Sequence, residues 1–247
     1  MARSSTLSFA AVVLAGGFGT RIRHLLPDVP KPMAPVEGRP FVEHVVRYLA
    51  GAGIADVVLS TGYLAGVVSA HFAEQPVAGA HVRCVPEGEP LGTAGGFIHA
   101  VRESGLRPDG WIVLNGDSLV VADLPGFLAD FEGSGAEAAL IGLKVDDAAR
   151  YGSLEFDGDR RLRRFAEKRL GAGTINTGVY AFRSALLGSF PAQRPLAFET
   201  DVFPTLIAKG VSVRVHPVTA PFLDIGTPES LALAETFIRA QRLSLRS

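Results

Sequence analysis

The sequence predicts an α/β fold: a mixed, mainly parallel sheet flanked by helices. Three observations carry that reading. Apolar, β-rich runs alternate with segments of helical periodicity. Strand-like runs end in loops bearing glycine and aspartate, the place where open α/β sheets bind ligands. The second half changes to closely spaced strands around a hairpin turn at Asp157-Gly158-Asp159-Arg160.

The elements follow in order. Residues 9–15 form a buried strand that runs into glycines. Phe41, Val42, Val45, Val46 and Leu49 share one helical face, and Pro40 suits a first turn. Residues 56–60 are a second strand, 64–73 a helix and 81–85 a third strand. Residues 92–102 open a helix, and the strand at 111–114 ends at Asn115-Gly116-Asp117. Residues 138–145 are a strand, 152–156 and 161–166 flank the hairpin turn, and 174–182 are another strand. Residues 198–209 alternate poorly for a strand and read as a helix in spite of Pro204. Residues 211–215 and 221–225 are strands. Thr227-Pro228-Glu229 starts a last helix: threonine caps, proline takes the first position, and glutamate complements the dipole. No repeat or long linker interrupts the pattern. The expectation is one domain over residues 1–247, with a core at about 9–238 and a subdomain at about 145–182 laid over the sheet.

Composition narrows the function classes. With 47% hydrophobic and 20% charged residues, the 247-residue chain is neither disordered nor fibrous. A net charge of −1 argues against a sequence-wide nucleic-acid footprint. The single cysteine, Cys84, excludes an intramolecular disulfide and a cysteine-cluster zinc site, and it fits a cytoplasmic location. The six histidines show no metal-binding spacing. No apolar run approaches the roughly 18 residues of a membrane span. A leader reading of the first 15 residues lacks a cleavage site, and cleavage would destroy the motif that follows.

That motif is Leu14-Ala15-Gly16-Gly17-Phe18-Gly19-Thr20-Arg21. Glycines let a backbone approach a ligand and aim N–H groups at it, and Arg21 adds a fork of donors suited to phosphate oxygens. A Walker A loop is excluded because no Gly-Lys-Ser/Thr follows. A dinucleotide fingerprint is excluded because Ile22 stands where its third glycine belongs. The glycines alone are equally well read as strand-to-turn punctuation. Pro30-Lys31-Pro32-Met33 changes that balance, because proline on both sides of a lysine holds its ammonium in place. The combination resembles the signature of sugar-phosphate nucleotidyltransferases, which activate a sugar 1-phosphate with a nucleoside triphosphate.

The resemblance extends over nearly the whole chain. It implies a Rossmann-like, GT-A-like fold without the C-terminal β-helix of longer members. It implies nucleotide binding by Leu14, Ala15, Gly16, Gly17, Gly19 and Thr20, and by Gly92 and Thr93 of the segment Glu89-Pro90-Leu91-Gly92-Thr93-Ala94-Gly95-Gly96. Glu87 or Glu89 is a further candidate, an acceptor for guanine N–H groups. Arg21 and Lys31 would hold the triphosphate, and Asp117 and Asp224 would bind Mg²⁺. Glu167, Lys168, Asn176 and Gly178 resemble the segments that hold the sugar phosphate. Within the family, the pattern is similar to the short members that use GTP and D-glycero-D-manno-heptose 1-phosphate. Mannose, glucose and muramate 1-phosphate guanylyl- or uridylyltransferases share most of these motifs. The expected partners are therefore a nucleoside triphosphate and a sugar 1-phosphate, with no nucleic acid or membrane, and a homodimer. Two other classes compete. A non-catalytic nucleotide-sugar sensor would be expected to lack a metal aspartate, Arg21 or Lys31, yet all are present. A nicotinamide oxidoreductase needs an acidic residue after the second strand, where Ser60-Thr61-Gly62 stands.

Overall fold

The computed structural model describes residues 7–149, 152–166 and 170–241. β1 (Phe9–Ala15) lies inside the main sheet. A small hairpin of β2 (Pro35–Val36) and β3 (Arg39–Pro40) leads into α1 (Phe41–Gly51). β4 (Asp56–Thr61), α2 (Ala65–Glu74), β5 (His81–Pro86), α3 (Thr93–Ser104) and β6 (Gly110–Asn115) complete a parallel block in the order β5-β4-β1-β6. Its inner strands are covered on both faces, which explains their unbroken apolar runs. Along β1, Ala11 and Val13 face one core and Ala10 and Val12 the other.

β7 (Ser118–Val120) and α4 (Leu124–Ser134) come next. α4 lies outside the sequence expectation, although Leu124, Phe127, Leu128 and Phe131 have helical spacing and are buried. The Asp123 carboxylate caps it, accepting from Gly126 N at 3.0 Å. β8 (Ala138–Val145), β9 (Ser153–Phe156), β10 (Leu162–Ala166) and β11 (Gly173–Arg183) follow. β11 runs antiparallel between β6 and β8. The β9–β10 hairpin joins β11 through the Ile175–Ser153 pair. It therefore extends the sheet at one edge, where the sequence suggested a layer over it. A backbone with unpaired N–H and C=O groups does better continuing a ladder than crossing a covered face.

The turn at residues 198–202 is a π-helical turn, and α5 (Phe203–Ala208) follows it, so the expected single helix is two pieces. Pro204 is accommodated in the first turn of α5, where proline is best tolerated in a helix. β12 (Val213–Val218) pairs parallel with β8. Among the described residues β13 (Phe222–Asp224) pairs only with β7, in a separate two-stranded ribbon. The last expected helix is broken into α6 (Pro228–Ala232), capped by Thr227 as anticipated, and α7 (Ala234–Ala240). From these pairings, seven strands of the nine-stranded sheet share one direction, and β10 and β11 oppose them.

Polar contacts fix the periphery. Asp130 on α4 pairs with Arg160 of the hairpin turn at 3.1 Å, with Arg214 at 3.4 Å and with His216 at 3.0 Å. Burial pushes this carboxyl upward, but the His216 bond and the two arginines outweigh it and hold it below the usual range. Histidines 44, 71, 99 and 216 all have hydrogen-bond partners, in line with structural roles. Among the described residues no helix is long and apolar enough to cross a membrane.

One core is aromatic. Phe182 stacks on Phe198 with centroids 5.5 Å apart and touches Phe97, Phe190 and Phe203 between 5.3 and 5.8 Å. Phe182→Ala should lower the unfolding free energy by about 3–5 kcal/mol in urea titration. Leu233→Ala, at a position 60% exposed, should change it by less than about 0.5 kcal/mol.

Candidate active site

The first cleft opens where β1 ends. It has a volume of about 450 Å³ and is lined by Leu14, Gly16, Gly17, Gly19, Thr20, Arg21, Lys31, Glu87, Gly92, Thr93 and Asp117, all anticipated from sequence. Phe18, Pro32, Pro90, Asn115 and Gly226 line it as well. Ala15 does not. It is 1% exposed, because the strand alternation that turns Leu14 toward the cleft turns Ala15 to the other face.

The glycines here act mainly by leaving room. A Cβ on Gly16 would lie 2.8 Å from Glu87 Oε1, and one on Gly96 would lie 2.5 Å from the same atom. The Glu87 carboxylate thus occupies the space that two missing side chains leave. It is fixed there by Ser60 Oγ, which donates to Oε1 at 2.8 Å, and by Leu91 N, which donates to Oε2 at 3.3 Å. Gly19 is different: its φ is +57°, and a Cβ would meet Lys31 Cβ at 2.7 Å.

The second glycine segment is tied to a distant part of the chain. Leu196 O accepts from Ala94 N at 2.9 Å and from Gly95 N at 3.1 Å. Thr93 Oγ1 accepts from Phe198 N at 3.1 Å.

The β7–β13 ribbon brings the two aspartates together. Asp224 pairs in register with Ser118, and Ile225 N donates to Asp117 O at 3.0 Å. Asp224 therefore sits on the ribbon and not at an end of the main sheet, which corrects the reading of its strand as a sheet strand. A sequence pattern shows that a strand exists but not its pairing partner. Lys31 Nζ lies 2.6 Å from Asp117 Oδ2 and 3.6 Å from Asp224 Oδ1. A Cβ on Gly226 would be 2.7 Å from Asp224 Oδ1, 3.0 Å from Arg21 Nη2 and 3.2 Å from Lys31 Nζ. Two cations and a carboxylate thus converge on one backbone point.

The donor set suits a hard divalent cation, since two carboxylates leave the remaining positions to phosphate oxygens and water. Among the described residues no group of three or more metal-ligating side chains exists.

A second cleft of about 600 Å³ adjoins the first. Asn176 and Gly178 line it as expected, with Thr177, Glu199, Phe165, Phe222 and Asp224. Glu167 and Lys168 lie outside the described residues. Asn176 Nδ2 donates to Tyr180 Oη at 2.7 Å and to Glu199 Oε1 at 3.2 Å, and its Oδ1 accepts from Gly178 N at 3.1 Å. Tyr180 Oη donates to Glu199 Oε1 at 2.7 Å. Burial first, and then the Glu199 charge, hold the Tyr180 phenol well above its usual range, so it stays a donor.

Asn115 and Glu199 are among the lining residues that the sequence does not single out. Asn115 lines both clefts, and its amide nitrogen fills the position that a Cβ on Gly178 would take. It stands in Asn115-Gly116-Asp117, beside the aspartate whose chemistry is the more obvious in the sequence. Glu199 sits in Phe198-Glu199-Thr200-Asp201, where nothing local distinguishes a cleft residue from a helix start. Its neighbour Asp201 has a structural task, accepting from Ala197 N at 2.7 Å.

The family model for nucleotidyl transferases matches residues 10–241. The chain belongs to the nucleotidyl transferase family. It is 38% identical over 222 residues to a mannose-1-phosphate guanylyltransferase of Mycobacterium tuberculosis, covering 89% of this chain and 61% of that protein. It thus spans about three fifths of the mannose-type relative. It is 31% identical to a D-glycero-alpha-D-manno-heptose 1-phosphate guanylyltransferase of Campylobacter jejuni, covering 89% of this chain and 95% of the relative. Among solved structures, HddC from Yersinia pseudotuberculosis complexed with GMP-PN superposes with a TM-score of 0.81 at 31% identity, covering 93% and 98% of the two chains. As a nucleotidyl transferase family member, the chain has the mixed, mainly parallel sheet that its sequence predicts.

The glycine geometry yields a test of this site's packing. Gly178, at a φ of +75° and against Asn115, should lose at least about 1 kcal/mol of stability as Gly178→Ala. At Gly17 a Cβ meets nothing within 4 Å among the described residues, so Gly17→Ala should stay within about 0.5 kcal/mol. Chemical denaturation of the two variants checks both.

Proposed function

We propose that this chain transfers a guanylyl group from GTP to D-glycero-D-manno-heptose 1-phosphate, releasing pyrophosphate and a GDP-sugar. The observation that carries this reading is the meeting of two clefts at Asn115 and at the Lys31, Asp117 and Asp224 cluster. One cleft suits a nucleotide and the other a sugar phosphate, and the charged groups lie where the two would join.

The chemistry asks little of a protein nucleophile. An oxygen of the sugar 1-phosphate is already anionic. It forms a bond to the α-phosphorus while the bond from that phosphorus to the β-phosphate bridging oxygen breaks, and pyrophosphate leaves with the electron pair. The obstacle is bringing two polyanions together, so positioning and cations supply the catalysis. Arg21 and Lys31 hold the triphosphate and offset charge on the leaving pyrophosphate. Asp117 and Asp224 hold Mg²⁺, which when bound neutralises phosphate oxygens. Glu87 accepts from guanine N1–H and the 2-amino group, a pair of donors that adenine lacks at those positions. Lys168 takes the acceptor's phosphate, with Glu167 and Asn176 on hydroxyls. A cytoplasmic location and a homodimeric state belong to the same reading.

The heptose acceptor is favoured by relatives that match this chain along almost their full length. A second reading, mannose 1-phosphate, is favoured by the 38% identity to the mycobacterial protein. The retention of both aspartates, Arg21 and Lys31 supports an enzyme over a non-catalytic sensor.

Pyrophosphate release should be strongest with GTP, Mg²⁺ and the heptose phosphate in a panel crossing five nucleoside triphosphates with heptose, mannose and glucose 1-phosphates. Strongest release with mannose 1-phosphate would select the second reading, and release with UTP would overturn the assignment of the base. EDTA should abolish turnover. Asp117→Asn should cost about 10²-fold or more in kcat with the circular dichroism spectrum unchanged; activity like that of the unsubstituted enzyme would remove Asp117 from the metal site. Glu87→Gln should lower kcat/KM for GTP by about 10- to 100-fold, and an unchanged value would show that guanine is read elsewhere.

A further inference from the structure

Glu199 carries a carboxylate oxygen with no task in the reaction as derived. Its backbone belongs to the π-helical turn Phe198–Val202, in which Ala197 O accepts from both Asp201 N at 3.2 Å and Val202 N at 3.1 Å. Such turns are rare and cluster at functional sites. This one is held from three directions. The Asp201 carboxylate accepts from Ala197 N at 2.7 Å, Thr93 Oγ1 accepts from Phe198 N at 3.1 Å, and the Phe198 ring is fully buried in the aromatic core. A side chain on so fixed a support is pre-positioned.

The two oxygens of Glu199 differ. Oε1 accepts from Tyr180 Oη and Asn176 Nδ2, so its lone pairs are taken and the carboxylate plane is set. Among the described residues Oε2 has no such partner, and Glu199 lines the second cleft. A carboxylate only accepts, and it repels phosphate. A sugar 1-phosphate has one kind of group to offer it, the ring hydroxyls. The same cleft presents the Phe165 and Phe222 rings, apolar surfaces for the C–H faces of a sugar.

We propose that Glu199 is a specificity-determining residue for the acceptor, its Oε2 accepting one or two ring hydroxyls and so selecting a hydroxylated sugar over its deoxy analogues. The proposal rests on the sugar-phosphate reading of the second cleft. It orients the acceptor with its ring toward Glu199 and its phosphate toward Lys31.

The test pairs Glu199→Gln with a set of 2-, 3-, 4- and 6-deoxymannose 1-phosphates. Glutamine keeps an oxygen for Tyr180 and Asn176 and removes the charge. The variant should raise the KM for the acceptor the enzyme turns over, heptose or mannose 1-phosphate, about 10-fold or more, with the KM for GTP and the thermal midpoint unchanged, a split that a purely structural role would not produce. The unsubstituted enzyme should lose about 10- to 100-fold in kcat/KM at one or two deoxy positions, and the variant should show no further loss there. Equal KM values, or equal deoxy penalties in both proteins, would overturn the proposal while leaving guanylyl transfer standing. No turnover by the unsubstituted protein with mannose or heptose 1-phosphate would overturn the substrate reading instead. Calorimetry with mannose 1-phosphate then decides the role of Glu199: weaker binding by the variant supports it, and equal binding overturns it.

Discussion

A buried ammonium between two carboxylates organises this molecule's working end. Asp117 and Asp224, left to themselves, would repel one another across a partly dried cleft, where Coulomb energies exceed those in water. Lys31 removes that conflict, and it is itself only 9% exposed. A lysine so buried needs paired charge. The dependence is mutual, and much of the local chain serves it. The prolines on both sides of Lys31 stiffen its turn, in which Met33 N donates to Pro30 O at 2.8 Å. Gly19 leaves room for the lysine stem. The β7–β13 ribbon exists to the extent that it carries one aspartate beside the other.

The parallel block was legible because its inner strands are covered on both faces, so their residues form continuous apolar runs. The hairpin was legible as a hairpin from its turn residues. Where it docked was not, since the edge it extends is set by β11, which follows it in the chain. The same limit applies to Asp224: its strand could be read, but not the ribbon that aims it. The π-helical turn was invisible, because it is defined by a backbone bond, Val202 N donating to Ala197 O, that no residue type in the segment announces.

The site was legible where one short segment carries several chemical groups, as from Leu14 to Arg21 and from Pro30 to Met33. It was obscure where a role comes from pairing across the fold. Glu199 gains its setting from Tyr180 and Asn176, on another strand. Gly16 and Gly96 look like loop flexibility in the sequence, yet both make a slot for the carboxylate of Glu87. Ala15 looked like part of the loop and belongs to the interior.

The tie between α3 and Leu196 has an electrostatic consequence. The first turn of a helix ordinarily presents free amides and a partial positive charge, a ready seat for an anion. In α3, Leu196 O takes the amides of Ala94 and Gly95. Two first-turn amides are thus taken by a neutral carbonyl, and a phosphate there would find those two donors already engaged. The first cleft is therefore polarised: a carboxylate acceptor, Glu87, stands against Gly96 at the α3 end, and the cations Arg21 and Lys31 meet the aspartates at the other. A ligand with one flat, neutral end and one anionic end has a single low-energy way to lie in it.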